Sequence, residues 1–191
     1  MKKNLPLILI SFLLSSCAAT AIGVAAGTGA AIGTDDRGGS TVFDDQGLSN
    51  KAKSIAEAIE PKGSYTVSAY NGKILLAGQV PNQYDKDIIY SSVKNMNNIN
   101  GVWNYLTVGK NQSLGQITTD TYLTSAAKSR LIAQKNINTN NIKVVTCNGV
   151  VYLMGADVGS NYQLSSAITG IRGIDGVKDV VNLTNRFVFG E

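Results

Sequence analysis

The sequence predicts an α+β protein of two tandem αββαβ units, each a small mixed sheet with two helices on one face. Three observations predict it. The chain repeats itself. Each copy holds an Asn-Gly pair between two strand-like runs. Each copy also carries two stretches with apolar residues at helical spacing. Tyr70-Asn71-Gly72-Lys73-Ile74-Leu75-Leu76-Ala77-Gly78 matches Cys147-Asn148-Gly149-Val150-Val151-Tyr152-Leu153-Met154-Gly155 at an offset of 77. Ile99-Asn100-Gly101-Val102 matches Ile174-Asp175-Gly176-Val177 at an offset of 75. The two anchors differ by a gap of two residues, and agreement at both makes the repeat real.

In the first copy, Leu48, Ala52, Ile55 and Ile59 mark a helix that Pro61 and Gly63 stop. Tyr65 to Ala69 alternates as a strand. Asn71-Gly72 is a hairpin signal, because a type I′ turn needs positive φ at both central residues. Lys73 to Ala77 returns as a strand that Gly78 and Pro81 end. Tyr84 to Met96 reads as a second helix with Ile88, Ile89 and Val93 inward, and Val102 to Val108 as a third strand. The second copy repeats the order. A helix runs from about Thr121 to Gln134, a strand from Ile142 to Thr146, and a hairpin turns at Asn148-Gly149. A strand from Val150 to Met154, a helix from Tyr162 to Ile171 and a strand from Val177 to Leu183 follow.

Ahead of the repeat lies an export signal. Met1-Lys2-Lys3 is a basic head, Leu5 to Leu14 is apolar but too short to span a bilayer, and small residues follow. Leu14-Ser15-Ser16-Cys17 resembles a bacterial lipobox. That resemblance implies cleavage after residue 16, a diacylglycerol on the Cys17 sulfur and an acyl chain such as palmitate on its amine. The competing reading is an ordinary signal peptide with a chance cysteine. A single chain anchors only marginally, at about 0.8 kcal/mol per buried methylene, whereas two or three chains hold firmly. Ala18 and Ala19 are not the aspartate that would retain such a protein at the inner membrane, so the analogy sends it to the periplasmic face of the outer membrane. Residues 17–45 read as a lipidated linker rich in Ala, Gly and Thr. The folded units are expected at 46–110 and 117–191.

Composition narrows the chemistry. Hydrophobic content of 43% is ordinary for a globular protein. The formal net charge is +4, and loss of Lys2 and Lys3 with the signal leaves about +2, too little to argue for nucleic acid. Residues 18–45 set Arg37 against Asp35, Asp36, Asp44 and Asp45, a net of −3. With Cys17 lipidated, Cys147 is the remaining thiol, so no internal disulfide forms, and its apolar run suggests a buried strand end. There is no histidine, which removes Ser-His and Cys-His catalysis and the commonest metal ligand. The 13 acids are scattered, mostly over turns and expected solvent faces. Asp85 and Asp87 read as support for a helix start rather than an acid-base pair. Gly27, Gly29 and Gly33 are no phosphate loop, since no strand precedes them and no Gly-Lys-Ser/Thr follows. No enzyme, cofactor or metal site is expected.

The Asn-Gly hairpin, the strand ending in Gly and the late Gly-Val entering the last strand resemble a BON domain. Two of them behind a lipobox are similar to the dual BON-domain outer-membrane lipoproteins. Tyr70 to Gln79 and Asp120-Thr121-Tyr122-Leu123-Thr124-Ser125 carry the likeness most.

What remains is a binding surface. On the first helix of the second copy, Leu123, Ala127 and Leu131 share the face that should pack on the sheet. The other side offers Tyr122, Ser125, Ala126, Ser129 and Ala133, flanked by Lys128, Arg130 and Lys135. The residues alone fit an ordinary solvated face, with Tyr122 partly packed under a Gly115–Thr119 loop. They also fit a membrane interface, with the ring at headgroup depth and the cations on anionic lipid. The resemblance implies the second. It makes Thr121, Tyr122, Ser125, Ala126, Lys128, Ser129, Arg130 and Ala133 an anionic-phospholipid contact that supports outer-membrane integrity, at division sites among others. Tyr122 stands where the family often has Trp, and Ala126 where a cation is common. The first copy has no matching exposed aromatic beside Lys51 and Lys53 and is assigned packing or partner contacts. The alternative function is a protein-interaction adaptor for envelope assembly proteins.

Overall fold

Both Asn-Gly pairs turn the chain as their chemistry requires. Asn71 and Gly72 have φ of 49° and 75°, and Asn148 and Gly149 have φ of 53° and 78°. A computed structural model describes residues 38–185, with only the backbone at Asn185. Cys17, the expected export signal and most of the expected linker lie outside the described residues.

The first unit runs α1 (Gly39–Ile59), β1 (Ser64–Tyr70), β2 (Lys73–Val80), α2 (Gln83–Lys94) and β3 (Gly101–Val108). The second runs α3 (Leu114–Ile132), a 3-10 turn (Thr139–Asn141), β4 (Ile142–Cys147), β5 (Val150–Ala156), α4 (Asn161–Arg172) and β6 (Asp179–Asn185). Each sheet has one antiparallel and one parallel pairing, in the orders β1-β2-β3 and β4-β5-β6. The expected αββαβ order is what forms.

Two boundaries differ in a way that matters. The first helix begins at Gly39 rather than near Leu48, so the end of the expected linker is helical. The helix of the second unit begins at Leu114, so the expected Gly115–Thr119 loop is helix as well. Gly and Thr are poor helix formers, and tertiary contacts override their propensity here. Ser113 caps α3 by accepting from the Gln116 N–H at 3.2 Å. At Gly78 the second strand does not end, but continues to Val80.

Alternation along the strands builds three cores. Ile74 and Leu76 face α1 and α2, while Val151 and Leu153 face α3 and α4. The residues between them point the other way. Leu75 and Ala77 of the first sheet meet Tyr152 and Met154 of the second, with Trp103, Val181 and Leu183 partly buried against them. The molecule is therefore four layers deep: helices, sheet, sheet, helices. Polar ties cross the join. The Tyr70 hydroxyl donates to the Asn141 carbonyl at 2.7 Å and accepts from the Ala156 N–H at 3.1 Å. Lys143 Nζ donates to the Ala69 carbonyl at 3.1 Å. The Tyr105 and Tyr152 rings meet edge to face at 5.2 Å. The sheet faces are thus spent on each other, and the helices hold the outer surface.

Candidate functional site: the outer face of α3

The position of α3 is set by one buried carboxylate. Asp120 is 6% exposed and accepts from the Asn148 N–H at 2.6 Å and the Gly149 N–H at 2.8 Å. Gln112 and Gln116 donate to the same carboxylate at 2.8 and 2.9 Å. The first unit uses the same device. Asp45, 3% exposed, accepts from the Asn71 and Gly72 N–H groups at 2.8 Å each. Each carboxylate thus clips its helix to its hairpin. Sequence reasoning put Asp45 in a linker and gave Asp120 no structural role. The clip explains why the helices start so early.

Fixed in this way, α3 buries Leu123, Ala127 and Leu131 on the sheet, as their spacing predicts. Tyr122 stands 63% exposed on the other side. Thr121, Ser125, Lys128, Ser129, Arg130 and Ala133 are exposed with it, while Ala126 is half-buried. So α3 and its C-cap residue Ala133 bring together the eight residues expected of the contact, while Cys17, the expected lipid attachment, lies outside the described residues.

Sequence reasoning missed three exposed apolar residues on this helix. Leu114 is 84% exposed, Ile117 42% and Ile132 70%. Leu114, Thr121, Ser125 and Ile132 share one stripe, at spacings of seven, four and seven. An apolar residue therefore marks each end of the face, with Tyr122 between. The signal was legible. Ser113 followed three residues later by Gln116 is a helix-start signature, and it places Leu114 and Ile117 inside the helix.

The hydroxyls between these apolar residues are not free. Thr118, Thr121, Ser125 and Ser129 donate to the carbonyls four residues back, at 3.0 to 3.2 Å. A hydroxyl whose proton is already bonded costs less to remove from water. The face is thus more apolar than its sequence reads. Its charge is one-sided as well. The lone acid of α3 is the buried Asp120, and its exposed charges are Lys128 and Arg130.

Other features are quieter. Phe43 is 64% exposed on α1, an aromatic that sequence reasoning did not credit to the first copy. Alignment on Asp45 and Asp120 puts Gly47, not Phe43, opposite Tyr122, and Asp44 sits beside Phe43. Tyr84 and Tyr162, each the second residue of its helix, are 72% and 79% exposed. Asp85 and Asp87 support the helix start, receiving the amides of Asn82 and Gln83 at 2.7 Å. Cys147 is 2% exposed with its Sγ 3.4 Å from the Ala77 carbonyl, and burial pushes the thiol up to about 11. The cleft beside it measures about 110 Å³, well below the volume of a typical small-molecule site. Among the described residues, no cluster of acids and cysteines could hold a metal, and no helix is long and apolar enough to cross a membrane.

Two αββαβ units, each with its helix clipped to an Asn-Gly hairpin, define the class. The chain belongs to the BON domain family, whose model matches residues 44–110 and 119–185. It is similar to the protein named "Outer membrane lipoprotein DolP" of Haemophilus influenzae, 34% identical over 186 residues, covering 96% of this chain and 95% of that one. It is also similar to the "21 kDa hemolysin" of Actinobacillus pleuropneumoniae, 30% identical over 154 residues, 79% of this chain and 78% of that one.

Proposed function

We propose that this chain is a non-enzymatic outer-membrane lipoprotein that rests α3 on anionic phospholipid and so supports the integrity of the envelope. Cys17 is its anchor in this reading, facing the periplasm. The observation that carries the lipid contact is the composition of the α3 face. Leu114, Ile117, Tyr122 and Ile132 project among self-bonded hydroxyls, on a helix with two exposed cations and no exposed acid of its own. Each cation near an anionic surface contributes about 1 kcal/mol, less as salt rises. The Tyr122 ring buries apolar area while its hydroxyl stays wet. The likeness to a relative named as an outer-membrane lipoprotein supports the location.

The adaptor for envelope assembly proteins stays as a second reading because Phe43 and Tyr84 are exposed on the other helix layer, whose charges are mixed.

Vesicle flotation of residues 38–191 tests the site. Wild type should bind anionic vesicles, bind neutral ones poorly and release as salt rises. Tyr122→Glu should weaken binding sharply with an unchanged melting curve, since the residue is exposed. Equal binding by Tyr122→Glu would favour the adaptor. In cells, Cys17→Ser should move the protein out of the membrane fraction.

A further inference from the structure

Among the described residues, strands β3 and β6 each pair on one side alone, with β2 and β5. An open edge is a template for another strand, and a membrane anchor would concentrate such edges in two dimensions. The other two outer strands, β1 and β4, lie against each other, with Lys143 donating across to Ala69.

On β6 the edge is occupied by the chain's own side chains. The Val180 N–H donates to Asp179 Oδ1 at 2.7 Å. The Val180 carbonyl accepts from Arg172 Nη2 at 3.2 Å. Arg172, the last residue of α4, is held there by Asp179 at 3.7 Å. Two residues on, Asn182 Oδ1 accepts from the Thr184 N–H at 3.1 Å and from its hydroxyl at 2.7 Å. The first unit repeats the last step, since Asn104 Oδ1 accepts from the Leu106 N–H at 3.2 Å on β3. The same residue type bonds the backbone two positions ahead on both outer strands.

We propose that Arg172, Asp179, Asn182 and Asn104 form a guard that closes the outer strands to strand addition by a second copy of this chain. The guard lets anchored copies crowd without pairing edge to edge, and it leaves the helix layers as the surfaces that meet partners. It does not depend on α3 binding lipid, so this proposal and the lipid reading fail in separate assays.

The test is the mass of the full chain in detergent, by sedimentation over a range of concentrations. Wild type should sediment as one protomer. Arg172→Met with Asn182→Val should self-associate on the order of tenfold more tightly than wild type. Asn182→Asp keeps the acceptor and should stay a single protomer. The single variant Asn182→Val, at an exposed position, covers a failure of the double variant to fold. In it the Thr184 amide should exchange faster, and dimer should increase. A folded Asn182→Val chain with no gain in dimer overturns the guard. So does a wild-type chain that sediments as a dimer and whose Thr184 amide, on β6, gains exchange protection as the dimer forms.

Discussion

Replacing Asp120 with Asn keeps the shape of the side chain and removes half of its capacity to accept. Four donors converge on the carboxylate: two backbone N–H groups of the hairpin and two glutamine amides. Each oxygen receives one of each kind. Whichever oxygen becomes NH₂, one hairpin N–H and one glutamine amide then face a donor. Gln112 or Gln116 can swing toward water, but the hairpin N–H cannot move without unmaking the type I′ turn. A buried, unsatisfied N–H costs about 1–3 kcal/mol. The bonds that survive lose their charge assistance and about half their strength. The expected loss is about 3 kcal/mol, which for a unit of this size lowers the melting midpoint by about 10 °C or more. Urea unfolding followed by circular dichroism reads it. Asp45→Asn should behave alike in the first unit, through Asn71 and Gly72. A loss below about 0.5 kcal/mol in both variants would refute the clip as the reason these helices start where they do.

Gly149→Val places a β-branched residue at a φ of 78° and brings its Cβ to 3.1 Å from the Gly176 carbonyl. It should cost at least about 1 kcal/mol, and melting equal to wild type would contradict the turn assignment. The Cys147 thiol, raised by burial from 9.0 to about 11, should form thiolate about a hundredfold less readily than a free cysteine near pH 8. Alkylation at pH 8 should therefore be slow in the folded chain and fast in urea, and equal rates would show the thiol to be open. The same shift makes the folded state lose stability as pH climbs from about 9 toward 11, because the thiol is held neutral when folded and ionises first in the unfolded chain.

The elements that local chemistry dictates were legible. Two Asn-Gly hairpins, a repeated order and helical apolar spacing suffice for αββαβ twice. The helix starts were not read, because their cause lies 26 to 29 residues away, where hairpin N–H groups meet Asp45 and Asp120. An aspartate among glycines and threonines looks like loop until its partner is known. Missing the start of α3 also hid Leu114 and Ile117 from the contact face. The sheet-to-sheet join had a signal that went unused. Ile74-Leu75-Leu76-Ala77 and Val150-Val151-Tyr152-Leu153-Met154 are unbroken apolar runs, and such strands are covered on both faces. With helices on one face, the second cover had to be the other sheet.

That join also decides which surfaces can act. A flat bilayer meets one side of a four-layer body at a time, so the two helix layers compete for it. The fold repeats, but the outer charge does not. On α1 and α2, Asp44, Glu57, Asp85 and Asp87 offset Lys51, Lys53, Lys86 and Lys94, and Lys53 pairs with Glu57 at 3.6 Å. On α3 and α4 the cations are Lys128, Arg130 and Arg172. Arg172 pairs with Asp179 of β6, and the one acid of these two helices, Asp120, is buried against the hairpin, which leaves Lys128 and Arg130 without an acid on their own helix to offset them. An anionic surface therefore attracts the second layer and is nearly indifferent to the first. Asp120 serves both ends of the argument. By turning inward to hold the hairpin, it fixes α3 in place and withdraws its own negative charge from the face that would meet lipid.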